Sequence, residues 1–415
     1  MTATATTPAA EARERFLAAY RTFAADGVAP NWWRELREQG IARFGATGFP
    51  TTRQEAWRFT SVAPIVEATF SIGADATSVT PAPAGVSVER LGAAAAGRHA
   101  ALLQTHLGRY ARIDANPFTA LANAFLGDGA LVHITAGTRV IAPIVVTHTP
   151  FTDGTMSAPR LLVIVDAGAQ ATLVERFESG RAVSHFTNAV TEIVLGDGAQ
   201  LEYVRVQQES DEAFHVGTIQ SHQGRDSVLR STTITLGAAL TRCDLGAVLD
   251  GPGALLHLNG LLVLGGEQHG DYHTVIDHAQ PHCESHEFVN GVFDGSARGV
   301  FTGRIIVRPG AQRTDSKQTN NNLILSAEAR ADSQPQLEIY ADDVKCTHGS
   351  TTGPIDQTAL FYLRSRGLDR ATAQAVLTYG FGADILARIG AESVRGELDE
   401  LIRSRLLAGA RAAAA

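Results

Sequence analysis

Short runs rich in Val, Ile, Leu and Thr begin near residue 129 and are separated by tight turns that contain Gly-Ala or Asp-Gly. Examples are APIVVTH, RLLVIVDAGAQATLVERF, VTEIVLGDGAQLEYVRV and GVFTGRIIVRPGAQ. No amphipathic helix of ordinary length separates one run from the next, which argues against an alternating α/β architecture. The pattern predicts a mainly β region.

The turns of this region recur at regular distances. Ala169 and Ala199, each preceded by Gly and followed by Gln, lie thirty residues apart, and Ala297, Ala311 and Ala327 step by fourteen and sixteen residues. A period near fifteen, or thirty for a full circuit, favours the stacked coils of a β-helix over a sandwich of long hairpins. The repeat is degenerate, and a β-sandwich is the alternative.

Helical periodicity occupies both ends of the chain. Apolar residues recur at helical spacing between residues 9 and 60, and the period returns after Gly353. Asp356 and Asp369 are suited to cap the first two C-terminal helices. We therefore expect an N-terminal helical region over 1–128, a β core over 129–352 and a C-terminal helical domain over 353–415.

Composition excludes several classes of protein. The 415 residues carry a net charge of −8 with no basic stripe, which argues against a nucleic-acid partner. The longest aliphatic runs, such as LLVIV, are too short to span a membrane. The first twenty residues lack the apolar core of a signal peptide, and the three cysteines form no CxxC pair. These features predict a cytoplasmic protein with reduced thiols.

The segment EQHGDYHTVIDHAQPHCESHE, residues 267–287, is rich in potential metal ligands. Its spacing fits no single helix face, Pro281 interrupts it, and it contains no HExxH. Buried, hydrogen-bonded or surface histidines explain the 269–286 region better than a metal site does.

Templates of common enzymes are absent from the sequence. There is no GxSxG, no P-loop and no GxGxxG after a strand. A cytoplasmic β-helix enzyme acting on carbohydrate stays open as an alternative, because some β-helices cleave polysaccharides. Aromatic residues make up only 7% of the chain, and all three tryptophans lie before residue 60, which disfavours a sugar-binding groove.

The stretch DDVKCTHGST, residues 342–351, places a cysteine and a histidine two positions apart. A bend at Asp342 and Asp343 keeps charge out of the core and turns Cys346 inward, where a thiol behaves as a small hydrophobic residue. His348 lies on the same side of the strand, just before Gly349, where we expect the strand to end. By itself His348 is either a structural histidine or a candidate ligand or interface residue.

Four segments of the chain match one known family. The most specific is AQRTDSKQTNNNLILSAEARADSQPQLEIYADDVKCTHGSTTGPIDQTALFYLRSRGL (311–368), and the others are FPTTRQEAWRFTSV (49–62), NPFTALANAFLGDGALVHI (116–134) and DYHTVIDHAQPHCESHEFVNGVF (271–293). These segments resemble the SufB/SufD family of the SUF iron–sulfur cluster assembly system. The resemblance extends from about residue 50 to residue 405.

The resemblance implies a right-handed parallel β-helix between helical domains. It implies a non-enzymatic scaffold subunit that pairs with SufB through the β-helix and docks the ATPase SufC on its C-terminal helices. The resemblance further implies a transient iron–sulfur cluster, shared with SufB, that forms at the interface, so the chain is expected to hold no stable cofactor of its own. Whether the complex binds flavin is left open, and the isolated chain is a possible homodimer.

Site residues follow from the same resemblance. His348 occupies the family position proposed to act with a SufB cysteine, and Cys346 occupies the neighbouring position. The supporting motif consists of Asp342, Asp343, Lys345 and Gly349, and the candidates for docking SufC are Phe361, Tyr362, Arg364 and Arg366.

Cysteine usage distinguishes the two branches of the family. Residues 1–242 contain no cysteine, and NNLILSAEARA has none where a SufB chain is expected to offer one. The SufD branch is therefore favoured. A SufB-like scaffold that holds a cluster by itself is the alternative.

Overall fold

The computed structural model describes residues 7–25, 30–73, 75–127, 129–150, 152–180 and 182–412. At its centre is a β-solenoid of about eight turns, flanked by helices from both ends of the chain. The predicted β-helix fold with helical ends is confirmed, and the alternative of a β-sandwich is wrong, because the coils are stacked in parallel.

The chain before the solenoid contains helices and three short strands. They are α1 (Pro8–Ala25), α2 (Asn31–Thr47), a 3₁₀ turn (Glu55–Trp57), α3 (Ala63–Glu67), β1 (Ser71–Ile72), β2 (Asp75–Val79), β3 (Val86–Arg90), α4 (Leu91–Ala96), α5 (Ala100–His106) and α6 (Pro117–Ala124).

The solenoid strands follow. They are β4 (Gly129–Ile134), β5 (Ile144–Pro150), β6 (Thr155–Ser157), β7 (Arg160–Val165), β8 (Gln170–Glu178), β9 (His185–Leu195), β10 (Gln200–Gln208), β11 (Phe214–Gln223), β12 (Val228–Thr235), β13 (Leu240–Leu249), β14 (Leu255–Leu264), β15 (His269–His278), β16 (Glu284–Phe293), β17 (Arg298–Val307), β18 (Asp315–Ile324), β19 (Arg330–Ile339) and β20 (Lys345–Pro354). Three helices complete the chain: α7 (Gln357–Ser365), α8 (Arg370–Leu386) and α9 (Glu392–Ala412).

Apart from β6, which lies in the same sheet as β7 and pairs with β1 and β9, successive solenoid strands alternate between two sheets. The first sheet has the order β3-β4-β7-β9-β11-β13-β15-β17-β19, and the second has the order β2-β5-β8-β10-β12-β14-β16-β18-β20. Neighbours from β4 and β5 onwards are parallel. Gln170 is opposite Gln200, thirty residues along the chain, so the predicted period of one full circuit is confirmed.

The repeated Gly-Ala-Gln turn has a local physical cause. Gly168 and Gly198 have φ angles of 68° and 67°, a left-handed conformation that glycine adopts without the steric penalty of a side chain. The following Ala169 and Ala199 are fully buried. A small side chain fits the corner where the chain turns from one sheet to the other, and this requirement repeats with each coil.

Helices cover the outer faces of both sheets. Aromatic residues of the N-terminal region, among them Phe44, Trp57 and Phe118, pack against Phe186 and Val216 of the first sheet. On the second sheet, apolar residues of α8 and α9 cover a row of outward-facing side chains. Of the helices that the structure describes, none is long and apolar enough to cross a bilayer.

The two ends of the solenoid differ. At the N-terminal end, five-residue β2 and β3 pair antiparallel with β5 and β4, and the loop TPAPAG joins them across the end. At the C-terminal end, ten-residue β19 and β20 are the last strands of their sheets, and within the described chain each pairs on one side only. The first end is closed and the second end is open.

Candidate functional site

The Cys346 and His348 side chains occupy inward positions of the last coil. In the parallel ladder Cys346 is opposite Ser316, which is opposite Ser285, and both serines are buried inside the solenoid. The prediction that Cys346 turns inward from the bend is therefore confirmed.

His348 continues a second inward column. It is opposite Gln318, and Gln318 is opposite Glu287. Both of these side chains are buried, whereas His348 is exposed, because no described coil follows it. The imidazole therefore lies at the open end of the solenoid interior, here called the lumen. The corresponding position is buried in every preceding coil.

The Cys346 thiol is half-buried and packs against the solenoid core. Burial raises the pKa of this thiol, and the negative charge of Asp315 raises it further. The thiol is therefore protonated at neutral pH, and binding a metal ion requires the loss of that proton.

The bend before β20 is held by the preceding coil. The backbone N–H of Arg313 donates to the carbonyl oxygen of Asp343 at 2.6 Å, and the Asp343 N–H donates to Gln312 Oε1 at 2.9 Å. Asp342, Asp343 and Lys345 are exposed, as the bend predicts. The expected strand end at Gly349 is wrong: β20 runs to Pro354, because its ladder with β18 extends to the pair Ile324–Pro354.

Two histidines of the 269–286 region have hydrogen-bond partners that give them a structural role. His278 Nε2 lies 2.8 Å from Ser285 Oγ inside the solenoid, and His269 Nε2 lies 2.9 Å from Thr60 Oγ1 of the N-terminal region. Within the described residues, no group of three or more His, Cys, Asp or Glu side chains is arranged to hold a metal ion.

A docking site for the N-terminal segment was not recognised in the sequence. The buried Arg242 donates to Asp271 at 2.6 Å and to the Ala56 carbonyl at 2.8 Å, and its guanidinium lies 3.8 Å from the ring centre of Trp57. Thr60 Oγ1 donates to the same Asp271 at 2.5 Å. The segment QEAWRFT therefore anchors the N-terminal region to the first sheet.

A cluster of polar side chains that was not identified from the sequence fills the lumen of the middle coils. Buried Glu175 accepts hydrogen bonds from Thr191 and Tyr203, and its Oε1 lies 3.1 Å from His148 Nε2. Burial alone would raise the pKa of Glu175, but the hydrogen bond with His148 and the charge of Arg205 lower it to about 2.

Charge is also balanced further along the same lumen. Arg205 Nη2 lies 2.6 Å from His215 Nε2, and His215 Nδ1 lies 2.6 Å from Glu209 Oε2. Burial lowers the pKa of His215, although Glu209 opposes that effect. Glu175 and Arg205 are opposite each other in the ladder, so the thirty-residue period was the signal that paired them.

The helix α7 presents aromatic side chains to solvent. Asp356 caps it as predicted, accepting from the Thr358 and Ala359 N–H groups. Leu360 is buried, whereas Phe361 is 72% exposed and Tyr362 is 56% exposed. Arg364 and Arg366 are exposed, and the guanidinium of Arg366 stacks 5.2 Å from the Tyr362 ring centre.

Two models of known protein families match the chain. The family model "SUF system FeS cluster assembly, SufBD core domain" matches residues 148–381, more than half of the chain. The model "SufBD protein N-terminal region" matches residues 73–146.

Similar proteins come from several bacteria. An iron–sulfur cluster assembly SufBD family protein of Synechocystis is 34% identical over 74% of this chain and 69% of its own length. The iron–sulfur cluster assembly protein SufD of Escherichia coli is 29% identical over 90% of this chain and 93% of its own length. SufD of Bacillus subtilis is 27% identical over 71% of this chain and 68% of its own length. The chain therefore belongs to the SufBD family of the SUF system, whose members serve in iron–sulfur cluster assembly.

Proposed function

We propose that this chain is a non-enzymatic scaffold subunit that works in the cytoplasm. It pairs with SufB through the last coil of its solenoid and binds the ATPase SufC through its C-terminal helices. The nascent cluster is cargo formed at the SufB interface. In this proposal residues 1–128 support the solenoid, residues 129–352 provide the interface with SufB, and residues 353–415 dock the ATPase.

The open edge of β20 is the observation that carries the proposal. Lys345 N–H donates to Thr314 at 2.8 Å, and in a parallel ladder alternate residues direct their backbone groups to opposite sides. The N–H and C=O groups of Cys346, His348, Ser350 and Thr352 therefore face the open side. An exposed edge of this length is a template for a strand of another chain. Without SufB, the same edge is available to a second copy of this chain.

The donor set at this edge supports a site shared between two chains. Imidazole and thiolate are both suitable iron ligands, and iron–sulfur clusters usually have four protein ligands. Cys346 and His348 supply two donors on one face of β20. In the proposal the remaining ligands come from SufB, and a movement of the interface releases the cluster.

The exposed aromatic face of α7 supports the contact with SufC. Phe361 and Tyr362 are adjacent, and interface cores are enriched in such aromatic residues, with arginine among the residues that accompany them. We expect Phe361→Ser with Tyr362→Ser to abolish co-purification with SufC while SufB still co-purifies. Ile141→Ser, which changes an exposed apolar residue outside the C-terminal helices, is the matched control.

The role of His348 is tested by cluster assembly in cells. We expect His348→Ala to abolish assembly while the melting temperature of the purified chain is unchanged, because the side chain is exposed. His286→Ala, which removes a half-buried histidine from an outward position of β16, should leave assembly intact. Wild-type assembly in the His348→Ala strain would refute this role.

Anaerobic reconstitution separates the proposal from a scaffold that holds a cluster by itself. The chain alone should give no stable, stoichiometric iron–sulfur absorption band, because its own donor set is incomplete. A stoichiometric band from the isolated chain would favour the alternative.

A further inference from the structure

A buried amide oxygen near the open end lacks a hydrogen-bond partner. Gln318 Nε2 donates to Glu287 Oε2 at 2.6 Å, and both side chains are almost completely buried. The Glu287 carboxyl also interacts with the Thr274 hydroxyl, whereas Gln318 Oε1 is buried without a partner. An unsatisfied buried polar group costs about 1–3 kcal/mol, so the Gln318 oxygen requires an explanation.

The lumen is shaped to admit this pair. A Cβ atom at Gly303, on the facing sheet, would lie 2.2 Å from Gln318 Nε2. Glycine at that position therefore makes room for the amide. Burial raises the pKa of Glu287 to about 7 against the opposing effect of hydrogen bonding. This carboxyl group thus differs from Glu175, which His148 and Arg205 keep ionised.

The next side chain in the column is the exposed His348, opposite Gln318 in the ladder. Adjacent strands lie about 4.8 Å apart, so the two side chains are neighbours in the column, and a rotation of the exposed imidazole can bring a ring N–H to the unpaired Gln318 Oε1. We propose that Gln318 and Glu287 are positioning residues for His348: Gln318 Oε1 accepts a ring N–H of His348 and directs the other ring nitrogen to the open end.

This arrangement suits a histidine that binds metal. A metal-binding imidazole usually donates its second ring N–H to a fixed acceptor, which selects the tautomer and the ring orientation. Here the acceptor is an amide oxygen, and the bond to Glu287 fixes the orientation of that amide. The inference depends on the proposed function only for the role of His348 as a ligand, and its geometry is testable in the isolated chain.

The test is nitrogen NMR of the purified chain labelled with ¹⁵N-histidine, with His348 assigned from the spectrum of His348→Gln. We expect the wild-type His348 ring to show one protonated and one unprotonated nitrogen, well separated in chemical shift. Averaged shifts for the two ring nitrogens in the wild-type protein would overturn the proposal without any variant.

Variants identify the residues responsible. Gln318→Leu should collapse the two His348 nitrogen shifts towards the average of a freely exchanging imidazole. Glu287→Leu, which leaves Gln318 in place without its anchor, should act in the same direction. Glu287→Gln should preserve the wild-type shifts, because its amide oxygen still accepts from Gln318.

A control separates positioning from general disturbance of the lumen. Asn320→Ala removes a buried amide from the same face of β18 but from the neighbouring column, opposite Ser350. It should leave the His348 shifts unchanged. Unchanged shifts in both Gln318→Leu and Glu287→Leu would refute the inference, and Glu287→Leu decides alone if Gln318→Leu does not fold. Neither outcome bears on cluster assembly in His348→Ala, so the two proposals fail independently.

Discussion

The two ends of the solenoid differ in how their sheet edges are protected. Short antiparallel strands and a loop with two prolines close the N-terminal end, and such features are common protection for exposed edges. The C-terminal end presents two ten-residue strands whose outer sides are unpaired within the described chain. A protein that closes one end and leaves the other open has an edge available for a partner.

The interior shows the same contrast. In the early and middle coils, buried charges have partners: Arg160 donates to Glu192, and Glu175 interacts with Tyr203 and His148. Near the open end, the hydrogen-bond partners of buried Glu287 are neutral: Gln318, which donates to its Oε2, and Thr274. The buried carboxylates Glu192 and Glu175 of the early coils interact with basic side chains, whereas the hydrogen-bond partners of Glu287 in the late coils are neutral.

The largest expected effect lies near the closed end. Glu192 accepts from Arg160 at 2.6 Å and from the Gly108, Tyr110 and Ala111 N–H groups. Glu192→Ala leaves a buried arginine without its partner and should lower the free energy of unfolding by about 3–5 kcal/mol. Urea denaturation measures this change. Asp114→Ala, at the exposed pair with Arg112, is the control and should have no measurable effect.

The next effect depends on pH and distinguishes the two buried glutamates. The folded-state pKa of Glu287 is about 7, above its ordinary value of 4.5. Its contribution to the free energy of unfolding is therefore greatest below pH 4.5 and falls as the pH rises towards 7. Glu287→Gln should therefore stabilise the protein by up to about 3 kcal/mol at pH 8 and have little effect at pH 4.

Glu175 provides the opposite sign. Its pKa is lowered to about 2. Its contribution to the free energy of unfolding is therefore present above pH 4.5 and is lost as the pH falls towards 2. Glu175→Gln should destabilise the protein at pH 7. Urea denaturation at several pH values checks both variants, and destabilisation by Glu287→Gln at pH 8 would contradict the contrast between early and late coils.

A smaller free-energy change is expected at the open edge. Ser350→Pro removes an N–H that faces the open side, so the ladder with β18 is retained while pairing with another strand is blocked. We expect at least a tenfold loss of affinity for SufB, about 1.4 kcal/mol. Ser350→Ala is the control, because it removes only the hydroxyl hydrogen bond to Ser333. Equal affinity of the two variants in titration calorimetry would argue against this edge.

Much of the fold could be predicted from spacing. The thirty-residue step between Ala169 and Ala199 reflects one coil, and strand alternation placed Cys346 and His348 on one face. The length of β20 could not be predicted, since Gly349 is held in the strand by the ladder with a preceding coil. Local sequence does not contain that information.

Contacts between segments that lie far apart in the sequence could not be predicted either. Thr60 and Asp271 lie 211 positions apart, and no local pattern connects them. The pairs inside the lumen were easier to predict. Glu175 and Arg205 are separated by one coil, and so are Glu287 and Gln318. Once the period is known, searching for polar residues one coil apart identifies both columns.

Hydrogen exchange across the last coil tests the central claim most directly. In the isolated chain at low concentration, the peptide covering 345–354 should exchange quickly, because alternate amides face the open side. Binding of SufB should reduce its deuterium uptake to the level of the interior strand β16, while β3 at the closed end remains unchanged. A complex with SufB that leaves exchange in 345–354 unaltered would contradict the account.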